Sequence, residues 1–112
     1  MKIYKICSGE HWVNAQAAGV FTGVPIDITD GFIHFSTADQ LAETLQKHFA
    51  GQSGLVMLTI DCDTLQTALK WEQSRGGALF PHLYADLALA AIVGEHELQI
   101  DDQGAFILPK EI

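Results

Sequence analysis

Two histidines stand inside apolar runs. His34 lies in Asp30-Gly31-Phe32-Ile33-His34-Phe35-Ser36-Thr37, and His82 lies in Phe80-Pro81-His82-Leu83-Tyr84. An imidazole titrates near neutral pH, so it can act as acid, base, metal ligand or hydrogen-bond donor. A buried polar group left unpaired costs about 1–3 kcal/mol, so each ring needs a partner or a ligand. Side chains at i and i+2 of a strand share a face. His34 therefore faces with Phe32 and Ser36, and His82 faces with Phe80 and Tyr84. Taken singly, either histidine is equally well explained as a core residue bonded to a backbone carbonyl. The two together, each beside a hydroxyl residue, favour a site: a cleft offering donors, an aromatic platform and titratable rings.

Other residues add less. Glu72 follows Trp71 in an apolar stretch and either faces the same cleft or forms the outer side of a strand. Ser36 stands two residues from His34, a spacing that does not by itself couple a nucleophile to a base. Cys7 and Cys62 have no neighbouring cations to lower a thiol pKa and form no CxxC, so they read as reduced, buried thiols. The five histidines, at 11, 34, 48, 82 and 96, form neither HxH nor HExxH, and no residue is assigned as a metal ligand. Glu95-His96-Glu97 reads as a solvated face, and His11 and His48 as helix-surface residues. Trp12 and Trp71 belong to the core or a cleft wall. There is no glycine-rich phosphate loop; Arg75-Gly76-Gly77 reads as a hairpin turn.

The elements that must position these groups follow from periodicity. Residues 3–7 alternate as a first strand; Ser8 caps a helix over 9–18, with Trp12, Val13 and Ala17 on its apolar side, and Gly19 ends it. Residues 22–31 read as a connecting loop with turn signals at Gly23, Pro25 and Asp30-Gly31. The strand 32–35 then enters a second helix through Ser36 or Thr37, each heading a capping-box pattern. Ala38, Leu41, Ala42, Leu45 and Phe49 form its buried stripe, and Gly51 stops it. Leu55–Ile60 reads as a central strand, followed by a helical turn through Leu65. Two hairpins close the chain: 69–73 with 78–84, and 89–100 with 105–108. Early helices and late hairpins predict one α+β domain over residues 1–112, with two main helices and a bent, mostly antiparallel split sheet.

Composition narrows the function classes. The 112 residues are 48% hydrophobic with three prolines, which argues against disorder. Fourteen acids against six bases give a formal net charge of −8, a field that repels phosphate backbones, so nucleic acid is not expected as a partner. No stretch approaches 18 apolar residues and the N-terminus has no signal-peptide pattern, so a cytoplasmic protein without a membrane span is expected. The oligomeric state is left open, a monomer being sufficient.

The two histidine motifs, with Ile3-Tyr4-Lys5-Ile6, Trp12, Gly19, Gln40-Leu41 and Glu72, resemble a small bacterial family, domain of unknown function 952, over nearly the whole chain. That family in turn resembles the ADP-ribosyltransferase fold, a split, bent sheet around an NAD cleft. The RNA 2′-phosphotransferases of that class carry Val-His-Leu-Ser, which is similar to Ile33-His34-Phe35-Ser36. The resemblance implies a cleft lined by His34, Ser36, Thr37, His82 and Tyr84 that binds NAD or a related nucleotide, with NAD as a substrate and no cofactor needed for the fold. In that picture His34, His82 and Glu72 are the catalytic candidates: His34 bonding a ribose hydroxyl or carboxamide, His82 as acid–base group, Glu72 stabilising an oxocarbenium charge. Tyr84 would stack on a planar ring. The alternatives are a binding module without turnover and a metal-assisted hydrolase using His34, His82 and His96.

Overall fold

The computed structural model describes residues 1–110. Strand β1 (Lys2–Ser8) runs directly into helix α1 (Gly9–Ala18). Ser8 Oγ accepts the His11 backbone N–H at 3.1 Å. Gly19 closes the helix at φ +81°, where an L side chain would be strained, and donates to the Ala15 carbonyl at 2.9 Å. The helix buries Trp12 and Ala15, while Val13 is exposed.

There follow β2 (Val20–Phe21), α2 (Pro25–Asp30), β3 (Ile33–His34), α3 (Leu41–His48) and β4 (Leu55–Asp61). The chain continues with β5 (Leu69–Gln73), β6 (Leu79–Leu83), β7 (Leu87–Ala88), β8 (Ile92–Glu97), β9 (Gln99–Ile100) and β10 (Phe106–Ile107). The class is α+β and every strand pairing is antiparallel. The main sheet is in two three-stranded halves, ordered β1-β4-β8 and β3-β6-β5. One bridge joins them: Tyr4 N–H donates to Ser36 O at 2.8 Å, and Ser36 N–H returns to Tyr4 O at 2.9 Å. No helix among the described residues is long and apolar enough to cross a membrane.

Both faces of the β1-β4 pair are covered. Ile3, Cys7, Val56, Leu58 and Ile60 pack with Trp12, Phe21, Phe35 and Leu83 on one side. Tyr4, Ile6, Leu55 and Met57 pack with Leu41 and Leu45 of α3 on the other. Residues 3–7 are therefore all buried, not alternately exposed, and this draws Lys5 into the interior. The stripe expected for α3 is buried at Leu41 and Leu45; Ala38–Gln40 forms a tight 3-10 turn ahead of it. There Thr37 N–H donates to Gln40 Oε1 at 3.0 Å, half of the expected capping box.

Three expectations change. The segment 22–31 is not a plain loop but contains α2, a short third helix beside the two main ones among the described residues. Pro25 opens this helix, Asp27 accepts the Val24 N–H at 2.9 Å, and Gly31 ends it at φ +86°. The strand expected over 89–100 divides, because Leu89–Ala91 turns, β8 pairs with β4, and Leu98 dips into the core to bond Leu55 O. Only β9 and β10 form the last hairpin.

Helix α2 is held by a polar anchor. Its one buried residue is Asp27, whereas Ile26 and Ile28 are 56% and 63% exposed. Lys5 Nζ donates to Asp27 Oδ1 at 3.0 Å and lies 2.9 Å from Oδ2. It also donates to the His34 carbonyl at 2.9 Å. The His34 N–H and Nδ1 approach Asp27 Oδ1 at 3.1 and 2.6 Å. Gly23, at φ +116°, lies so close that an added Cβ would stand 2.8 Å from Asp27 Cβ. Burial pulls the Lys5 ammonium below its ordinary pKa, with Asp27 opposing. Burial pushes the Asp27 carboxyl up, but His34, Lys5 and the Val24 N–H overcome it and hold the pKa at about 2, below the ordinary 3.8.

Breaking one side of a buried ion pair costs about 3–5 kcal/mol, and Asp27→Asn is expected to lose stability near the lower end of that range at neutral pH. A carboxyl with a depressed folded-state pKa stabilises the fold above its unfolded pKa, and loses that contribution as pH falls through the folded value. The wild-type advantage over Asp27→Asn is thus full above about pH 4 and shrinks by about 2 kcal/mol as pH drops to about 2. Urea unfolding of both proteins across this window measures it; a constant difference would contradict the account.

Candidate active site

A cleft of about 590 Å³ opens between α2, β1, α3 and the face of the β3-β6-β5 half-sheet. His34 and His82 are direct cross-strand partners on that face, with ring centroids 5.4 Å apart. Phe32 bridges the aromatic group: it stacks on His82 at 4.2 Å and lies 4.6 Å from His34 and 5.1 Å from Tyr84. A cross-strand pair of this kind places both imidazoles on one surface whatever the rest of the chain does.

His82 is 5% exposed and lines the cleft. Its Nδ1 lies 2.8 Å from Glu72 Oε1, and the Tyr84 hydroxyl donates to the same oxygen at 2.7 Å. The Tyr84 hydroxyl, and after it His82, hold the Glu72 carboxyl below its ordinary pKa; in return Glu72 pushes the Tyr84 phenol up. With Nδ1–H directed at a carboxylate, Nε2 of the neutral ring is the acceptor. That Nε2 has no partner among the described residues.

His34 is fixed at both ends. Its Nδ1 meets Asp27 and its Nε2 lies 2.9 Å from Asp30 Oδ2. Ser36 also lines the cleft, its hydroxyl 2.9 Å from Thr44 Oγ1 and its backbone closing the bridge to Tyr4.

The fold thus brings His34, Ser36 and His82 to one wall. Glu72 and Tyr84 are not lining residues and reach the cleft through His82, whereas Thr37 belongs to the turn into α3. His96 lies on β8 in the other half-sheet, apart from His34 and His82. Among the described residues no three His, Cys, Asp or Glu side chains gather in a geometry to hold a metal ion. Burial pushes the Cys7 thiol up to about 11, as expected of an inert buried cysteine.

Several residues of this surface escaped the sequence pattern. Asp27 and Asp30 fell in the supposed loop; the available signal was Pro25 followed two residues later by Asp27, with Gly31 closing the turn. His11 and His48, expected on helix surfaces, border the cleft, and Ser8 Oγ lies 3.0 Å from His11 Nδ1. Trp12 is a core residue whose Nε1 donates to Glu95 Oε2 at 2.7 Å, so Glu95 is not simply solvated.

Residues 6–95 match the family model described as Protein of unknown function (DUF952). No curated protein matches the chain. The crystal structure of protein CC0527 from Caulobacter crescentus is similar at 45% identity and a TM-score of 0.91, covering 96% of this chain and 94% of that one. A double mutant of the same protein superposes with a TM-score of 0.91 at 44% identity, over 96% and 94% of the two chains. The solution NMR structure of CC0527 gives 0.83 at 46% identity, over 93% and 90%.

Removing the Tyr84 hydroxyl takes away the leading stabiliser of the Glu72 carboxylate. Tyr84→Phe is therefore expected to raise the Glu72 pKa toward its ordinary value. Carbon-13 NMR titration of the side-chain carboxyl reads this directly, and an unmoved midpoint would show that the hydrogen bond is not maintained in solution.

Proposed function

The chain belongs to the DUF952 family of proteins of unknown function, and on that premise we propose that it is an ADP-ribosyltransferase-like protein binding NAD or a related nucleotide in the His34–His82 cleft. His82 carries this reading. A nearly buried imidazole, oriented through Nδ1 by Glu72 and stacked on Phe32, leaves Nε2 unpartnered at a cleft wall. That nitrogen is open to the cleft instead of sealed in the core, so a ligand hydroxyl or amide can take it. The split sheet, with the cleft along its seam, supports the ADP-ribosyltransferase-type assignment.

The roles follow from what each group still has to offer. His82 Nε2 exchanges a proton or hydrogen bond with the ligand. Glu72, already bonded to His82 and Tyr84 through one oxygen, orients that imidazole and acts through it. Phe32 and the half-exposed Tyr84 form an aromatic group against His82, outside the cleft lining. A second reading, a binding module without turnover, is favoured by one observation: both His34 nitrogens are engaged, which leaves that ring nothing for substrate chemistry.

Two-dimensional NMR titration with NAD, ADP-ribose and nicotinamide tests the proposal. Saturable shifts are expected at His34, His82 and Tyr84, and His82→Ala should weaken binding by about tenfold, one charge-free hydrogen bond's worth. Silence from all three ligands at millimolar concentration would sink the nucleotide assignment. Turnover of NAD by the wild type, lost in His82→Ala, separates an enzyme from a binding module.

A further inference from the structure

Resting on the nucleotide reading, we infer that Asp30 is the residue that recognises the ligand's ribose, taking its vicinal diol. Asp30 ends α2, lines the cleft, and has a side chain 37% exposed. Its Oδ2 is taken by His34 Nε2 at 2.9 Å, while Oδ1 has no partner among the described residues. A carboxylate with one oxygen engaged and one open is an acceptor held in a single orientation.

What holds it is anchored in the core. Lys5, Asp27, His34 and Asp30 form a continuous line of contacts of 2.9, 2.6 and 2.9 Å from the interior to the cleft. The open oxygen is an acceptor only, so it takes hydrogen-bond donors. Two adjacent hydroxyls are the donors a nucleotide offers, and an acidic residue on the ribose hydroxyls is an established solution for dinucleotides. A phosphate on the 2′ position would place like charge against Asp30 and be rejected. His34 is then a positioning residue: it orients Asp30 and does not itself reach the ligand. This assigns to a residue of α2 the ribose contact that the histidine motif suggested for His34.

The experiment compares adenosine with 2′-deoxyadenosine, and D-ribose with 2-deoxyribose, by NMR titration of the wild type and of Asp30→Ala, with the amide spectrum confirming the fold. The wild type is expected to favour each diol by about tenfold or more, the scale of one hydrogen bond to a charged acceptor. In Asp30→Ala the preference should fall to near one, while shifts at His82 persist. Equal affinities for diol and deoxy partners in the wild type, or a preference untouched in Asp30→Ala, overturn the assignment. Binding of ribose with silence from adenosine leaves Asp30 as a diol site and overturns only the nucleotide reading. Silence from both sugars and both nucleosides overturns the two together.

Discussion

The buried contact between Lys5 and Asp27 is the constraint on which the site depends. An ammonium in the core of a small domain is tolerable only with a closely bonded counter-charge, and here Asp27 supplies it from a short helix that buries no other residue. The same carboxylate accepts from the Val24 and His34 backbones and from the His34 ring. One group thereby starts α2, docks it on β1, and fixes the imidazole at the cleft. Four donor groups also account for a carboxyl that stays ionised despite burial.

The cleft owes its shape to an incomplete sheet. Among the described residues the Tyr4–Ser36 bridge is the backbone ladder contact between β1-β4-β8 and β3-β6-β5, and the space beside that seam is walled by α2 and α3. A continuous sheet would have filled it with paired strands. Each histidine beside the seam is backed by carboxylate: His82 by Glu72, His34 by Asp27 and Asp30. The consequences differ. One carboxylate at one nitrogen orients a ring and leaves the other nitrogen available, whereas carboxylates at both nitrogens turn the ring into a structural linker. Two histidines alike in sequence thus end in different roles.

How legible this was depended on the range of the interaction. The strands, α1 with its Ser8 and Gly19 ends, the Leu41–Leu45 stripe and the 69–83 hairpin follow from periodicity and capping, which act over a few residues. That His82 shares a face with Tyr84 was likewise readable from alternation, whereas the pairing that sets His34 beside them is the work of β3 against β6. Helix α2 was not, because its six residues carry no apolar stripe; it is held by Asp27 against a lysine 22 residues away. The division of 89–100 was hidden for a related reason, since only the end of β4 tells the chain where to leave the sheet.

The sequence by itself determined the α+β class, the family, and the presence of two histidine motifs in apolar strands. These are properties of local pattern, where side-chain type and spacing decide the outcome. Tertiary structure decided which histidine nitrogen is free, that Glu72 and Tyr84 stand behind His82, and that Asp30 reaches the cleft. Those depend on which polar groups meet across the fold. A buried donor takes whichever acceptor the packing brings within about 3 Å, and no spacing along the chain records that choice.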